Sequence, residues 1–103
     1  MAQEKKKNQV NIELPEDIAE GIYANMAIIA HSNSEFVLDF IRMVPNVPKA
    51  KVKSRIILTP SHAKRLFKAL KDNIEKYEKQ SGGTIPDDGN PMPPLNFTPT
   101  AQA

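Results

Sequence analysis

Three observations predict an α+β fold: a four-stranded antiparallel meander with one long C-terminal amphipathic helix packed on one face. Short apolar runs separated by turn residues fill the first half of the chain. A continuous helical stripe follows from Ala63 to Tyr77, and the remainder is rich in proline. A chain of 103 residues with such a tail has room for one domain. The expected divisions are a basic flexible lead-in over 1–8, a sheet-plus-helix domain over 9–81 and a Pro-rich disordered tail over 82–103.

The first strand is expected at Val10, Ile12 and Leu14, which alternate with Asn11 and Glu13 in the period of a half-buried strand. Pro15 ends it, because it has no amide hydrogen for a ladder. Glu16 to Glu20 reads as a turn or a single helical turn, and Ile22 to Ala30 as the second strand. Ile18, Ile22, Met26 and Ile29 also fall at helical spacing, but Gly21 interrupts that pattern. The polar cluster His31, Ser32, Asn33 and Ser34 suits a hairpin turn. The β-branched and aromatic run Phe36 to Val44 then supplies the third strand. Pro45 and Pro48 open a loop, and alternation through Val52, Ser54, Ile56 and Leu58 supplies the fourth.

Thr59 and Pro60 mark a helix start. The threonine hydroxyl can accept an orphan amide hydrogen, and proline suits the first helical position, where its missing donor is not needed. Ala63, Leu66, Phe67, Leu70, Ile74 and Tyr77 then form one apolar stripe on a helix running to about Gln80. Gly82 and Gly83 supply a left-handed C-cap. The tail that follows contains Pro86, Pro91, Pro93, Pro94 and Pro99.

Composition narrows the function classes. With no cysteine there are no disulfides, thiolate metal sites or thiol nucleophiles. No apolar run is long enough to span a bilayer, and the lysine-rich start has no hydrophobic stretch behind it, so a cytoplasmic location is expected. Net charge is only +2, yet its distribution is bipolar. Residues 8–48 carry a net −5, and residues 49–76 a net +7. The basic part fits an acidic protein surface or phosphates, against the plainer reading of solvated lysines.

Catalytic patterns are thin. His31 and His62 stand apart from any nucleophile or metal-ligand set, so neither a metal nor a cofactor is expected, and an enzyme is the last reading. Asp39 interrupts the apolar run Phe36 to Phe40. Alternation places it on the opposite face from Leu38 and Phe40, where a basic side chain on the next strand can pair with it. The row Lys49, Lys51, Lys53 and Arg55 is the sharpest surface feature, since residues two apart on a strand share a face. It suits an acidic partner or a nucleic-acid backbone. No aromatic interleaves it for base stacking, and lysine on an edge strand also guards against aggregation. Met92, Leu95 and Phe97 form a second candidate, a short docking motif in the tail. Both faces of the expected sheet are apolar, and one helix can cover only one. A homodimer or another partner should therefore cover the second.

The runs Tyr23-Ala24-Asn25, His31-Ser32 to Glu35-Phe36-Val37-Leu38-Asp39-Phe40, and Arg55 to Pro60 with His62-Ala63-Lys64 resemble the small bacterial family known as domain of unknown function 3467. The likeness covers about Val10 to Tyr77. It transfers no functional residues, because the family has no established activity. It does imply a transcription-associated partner, with bacterial RNA polymerase as the candidate. The strand-then-helix order also resembles export-chaperone subunits of the SecB type in topology alone. The leading expectation is a non-enzymatic cytoplasmic interaction protein. The alternatives are a chaperone-like homo-oligomer binding unfolded segments, with Phe36, Phe40, Met26 and Met43 lining its groove, and a backbone-binding nucleic-acid protein.

Overall fold

The computed structural model of the chain describes residues 9–86 and 95–97. Its elements are α1 (Glu16–Ala19), β1 (Met26–His31), β2 (Phe36–Ile41), β3 (Val52–Leu58) and α2 (Pro60–Ser81). The chain divides into two units at Arg65 and Leu66, inside α2. The single turn α1 begins where the Pro15 carbonyl accepts the Ile18 and Ala19 amides at 3.0 and 2.9 Å. It ends at Gly21, whose φ of +76° is a left-handed value that side chains disfavour.

The sheet has the order β1-β2-β3, antiparallel throughout. The hairpin forms as expected from Ser32 to Glu35. The Ser32 amide donates to the Glu35 carbonyl at 2.9 Å, and the Ser34 amide donates to Ser32 Oγ at 3.3 Å. His31 is the last residue of β1 rather than part of the turn, and its ring stacks on that of its cross-strand partner Phe36 at 5.4 Å. Directly paired residues share a face. One face therefore carries Ala27, Ile29, Phe36, Leu38, Phe40, Ser54 and Ile56, and the other Met26, Ile28, Val37, Asp39, Ile41, Arg55 and Ile57.

The expected fourth strand is corrected. Residues 9–15 form no strand, and Val10, Ile12 and Leu14 are 80, 94 and 67 % exposed. Alternation makes a segment competent for a ladder, but a strand exists only where backbone partners lie alongside it. Among the described residues nothing pairs with this one. The strand expected over Ile22 to Ala30 is likewise shorter, beginning at Met26. Just ahead of it, Asn25 acts as a rung of its own. Its Nδ2 donates to the Met43 carbonyl at 2.9 Å, and its Oδ1 accepts the Met43 amide at 2.7 Å.

Helix α2 has the predicted ends. Thr59 Oγ1 accepts the His62 amide at 3.2 Å, and the Thr59 carbonyl accepts the Ala63 amide at 2.9 Å. At the other end Gly82 takes φ +78°, and the Gly83 amide returns to the Glu78 carbonyl at 3.2 Å. That six-to-one bond is the Schellman closure. No residue of α2 is buried. Leu66, Phe67, Leu70, Ile74 and Tyr77 are all exposed. Among the described residues, Ile41 is the one buried hydrophobic side chain and Asp39 the one buried charge. Both lie on the central strand, where neighbours on two sides exclude water.

Candidate functional site

Asp39 and Arg55 face each other directly across β2 and β3. Arg55 Nε donates to Asp39 Oδ1 at 2.7 Å and Nη2 donates to Oδ2 at 2.8 Å, a bidentate fork. Asp39 is 4 % exposed, whereas about half of the Arg55 side chain meets solvent. The pairing of Asp39 with a basic group on the next strand is as the alternation predicted. The Arg55 hydrogen bonds hold the Asp39 carboxyl below the usual carboxylate range. Burial opposes this, and the guanidinium charge adds to it. The same bonds push Arg55 up. A carboxylate locked in its ionised form is a poor proton donor or acceptor near neutrality, so the pair's evident work is to join two strands.

This pairing has a pH signature. A depressed folded pKa contributes stability above the unfolded value and loses it as pH falls through the folded one. The Asp39 contribution should therefore be intact down to about pH 5 and decline below about pH 4. Thermal melts across a buffer series should show that decline, and Asp39→Asn should flatten it. An identical acid limb in the variant would show that the pair is not what titrates.

The basic row is placed differently from the sequence expectation. Lys49, Lys51 and Lys53 are exposed, but Lys49 and Lys51 precede β3. Register shifts between Phe40, which pairs with Ser54, and Ile41, which pairs with Val52, so Lys53 is the extra residue of a bulge. Strict alternation does not run through Lys53, and Arg55 is already engaged by Asp39. Three exposed lysines remain as a cationic cluster beside the sheet. In the tail, Leu95 and Phe97 are exposed, and Met92 lies outside the described residues. The groove expected from Phe36, Phe40, Met26 and Met43 does not assemble on one surface. Phe36 and Phe40 occupy the face opposite Met26.

Apolar side chains are exposed in each unit: Ile29 and Ile56 on one sheet face, Ile57 on the other, Val10, Ile12 and Leu14 ahead of the sheet, and separately the α2 residues Leu66, Phe67, Leu70, Ile74 and Tyr77. The signal that sequence reasoning missed is negative: Met26 to His31 contains no acidic or basic residue other than its terminal histidine, and no proline. Among the described residues no three His, Asp or Glu groups converge as metal ligands, and no helix is long and apolar enough to cross a membrane. Arg42 lies over the Tyr23 ring at 5.6 Å, a surface cation–π contact. A family model described as "Protein of unknown function (DUF3467)" matches residues 1–85. No curated protein and no solved structure matches the chain.

Proposed function

The chain belongs to the DUF3467 family, and from that membership and its uncovered surface we propose that it is a non-enzymatic interaction protein acting within a larger assembly. One observation carries the reading. Among the described residues a single hydrophobic side chain, Ile41, is buried. A chain that buries so little of its own apolar surface gains further burial from another molecule, and twenty large hydrophobic side chains among the described residues are exposed to supply it.

Bacterial RNA polymerase is the partner to test first, on the strength of the family resemblance. Lys49, Lys51 and Lys53 would steer the chain toward an acidic surface, an attraction that weakens as salt rises. The exposed apolar area also favours a second reading, a chaperone-like oligomer that receives unfolded segments. Gel filtration of the purified chain with purified bacterial RNA polymerase separates the two. The lead reading expects salt-sensitive co-elution, lost in the Lys49→Glu, Lys51→Glu, Lys53→Glu triple variant. Arg55 is left intact there because it neutralises Asp39. Failure to co-elute, combined with suppressed aggregation of an unfolded test protein, would favour the chaperone. A lone monomer that does neither would overturn the interaction reading.

A further inference from the structure

The two free edges of the sheet are built differently. The β3 edge carries Lys53 within its bulge and Lys51 just before the strand. Lysines and bulges are two devices that stop an edge from recruiting another strand. The β1 edge has neither. Its sequence, Met26-Ala27-Ile28-Ile29-Ala30-His31, has no Lys, Asp, Glu or Pro, and its pairing to β2 is regular from end to end. Hydrogen-bonded and open pairs alternate along an antiparallel ladder. The Ser32 amide bonds to Glu35, so Ala30 and Ile28 bond inward. Ala27, Ile29 and His31 therefore turn their N–H and C=O groups toward the open edge.

The same chain also carries a strand without a ladder. Gln9 to Leu14 has six residues, as many as β1, with apolar side chains at every second position and Pro15 as a stop. It forms no strand in its own chain, and Ile12 is 94 % exposed. Of the two edges it could add to, β3 is guarded by its bulge and lysines and β1 is not.

We propose that two copies of this chain associate by reciprocal strand exchange, residues 9–14 of each adding to the open edge of β1 in the other. The inference rests on the association reading above and specifies how the chain meets itself. Each exchanged strand satisfies the outward groups of Ala27, Ile29 and His31 and covers Val10, Ile12 and Leu14. Two-fold reciprocity makes the arrangement a closed dimer, with both β1 edges filled.

Sedimentation velocity of the full chain across micromolar concentrations tests it, with two substitutions. Ile12→Asp alters a side chain that is free in the single copy, so folding is not at risk. Ala27→Pro removes an amide hydrogen that faces the edge, a position where strands tolerate proline. The wild type should be a dimer, and each variant should dissociate about 100-fold more readily or worse. If Ala27→Pro does not fold, Ile12→Asp decides. A dimer that withstands Ile12→Asp overturns the exchange but leaves the association reading intact, with the contact elsewhere. Dimer loss in Ala27→Pro alone also overturns it, in favour of two β1 edges pairing with each other. A wild-type monomer that still binds a partner overturns the exchange only. A wild-type monomer that binds nothing overturns both.

Discussion

Arg55→Met is expected to lower the melting temperature by roughly 10 °C or more at neutral pH. The substitution keeps most of the side-chain length and removes both donors, which sit 2.7 and 2.8 Å from the Asp39 oxygens. The carboxylate is left unpaired at one of the two most enclosed positions of the sheet. A buried charge that loses its partner is costly because neither water nor protein solvates it. Two companion measurements isolate this cause. Adding Asp39→Val to Arg55→Met should recover most of the loss, since β-branched side chains suit a strand and no charge remains to be solvated. Lowering the pH should narrow the gap between Arg55→Met and the wild type, because the orphaned carboxyl can then take up a proton. Circular dichroism melts at fixed protein concentration read all three effects. If the double variant were no more stable than Arg55→Met alone, the stranded charge would not be the source of the loss.

Leu70→Asp tests the other large feature, the uncovered stripe of α2. Phe67, Leu70, Ile74 and Tyr77 recur at intervals of three, four and three residues, the spacing of a helix seam that meets another surface. Leu70 is 56 % exposed in the single chain. A carboxylate there changes little in an isolated helix, and the caps at Thr59 and Gly82 are untouched. In an assembly that buries the stripe, each copy would lose the burial of one leucine, about 1.5–3 kcal/mol, and gain a charge to desolvate. Association should weaken by about 10²–10⁴-fold if two copies each contribute the residue. Far-ultraviolet circular dichroism should report helix retained while sedimentation or co-elution reports the assembly lost. Unchanged association would mean that the stripe is not part of the contact.

What the sequence made legible was everything decided by neighbours along the chain. The hairpin turn needed only Ser32 to Glu35, and the helix ends needed only Thr59-Pro60 and Gly82-Gly83. Alternation alone put Asp39 on the face where it meets Arg55. What it did not make legible depends on partners that periodicity cannot name. Val10, Ile12 and Leu14 have the pattern of a strand whether or not a ladder lies beside them, and among the described residues none does. The bulge at Lys53 inserts one residue into a regular alternation, which breaks up the expected basic row without leaving any mark in composition. The α2 stripe has the same apolar period whether it is covered or bare. The α1 turn lay between these extremes, since Pro15 and Gly21 bounded a segment too short to be anything longer.

The contact between Asn25 and Met43 makes one rung of the sheet chemically mortal. The rungs beyond it are peptide to peptide, and a peptide group keeps its donor for the life of the chain. This one borrows a side-chain carboxamide, with Nδ2 giving to the Met43 carbonyl and Oδ1 receiving its amide. Hydrolysis of that carboxamide, the slow ageing reaction of asparagine, would exchange the donor for a negatively charged oxygen facing a carbonyl oxygen. The rung would then repel on one side and hold on the other. The end of the β1–β2 ladder thus includes a group that time can alter without any change in the number of residues.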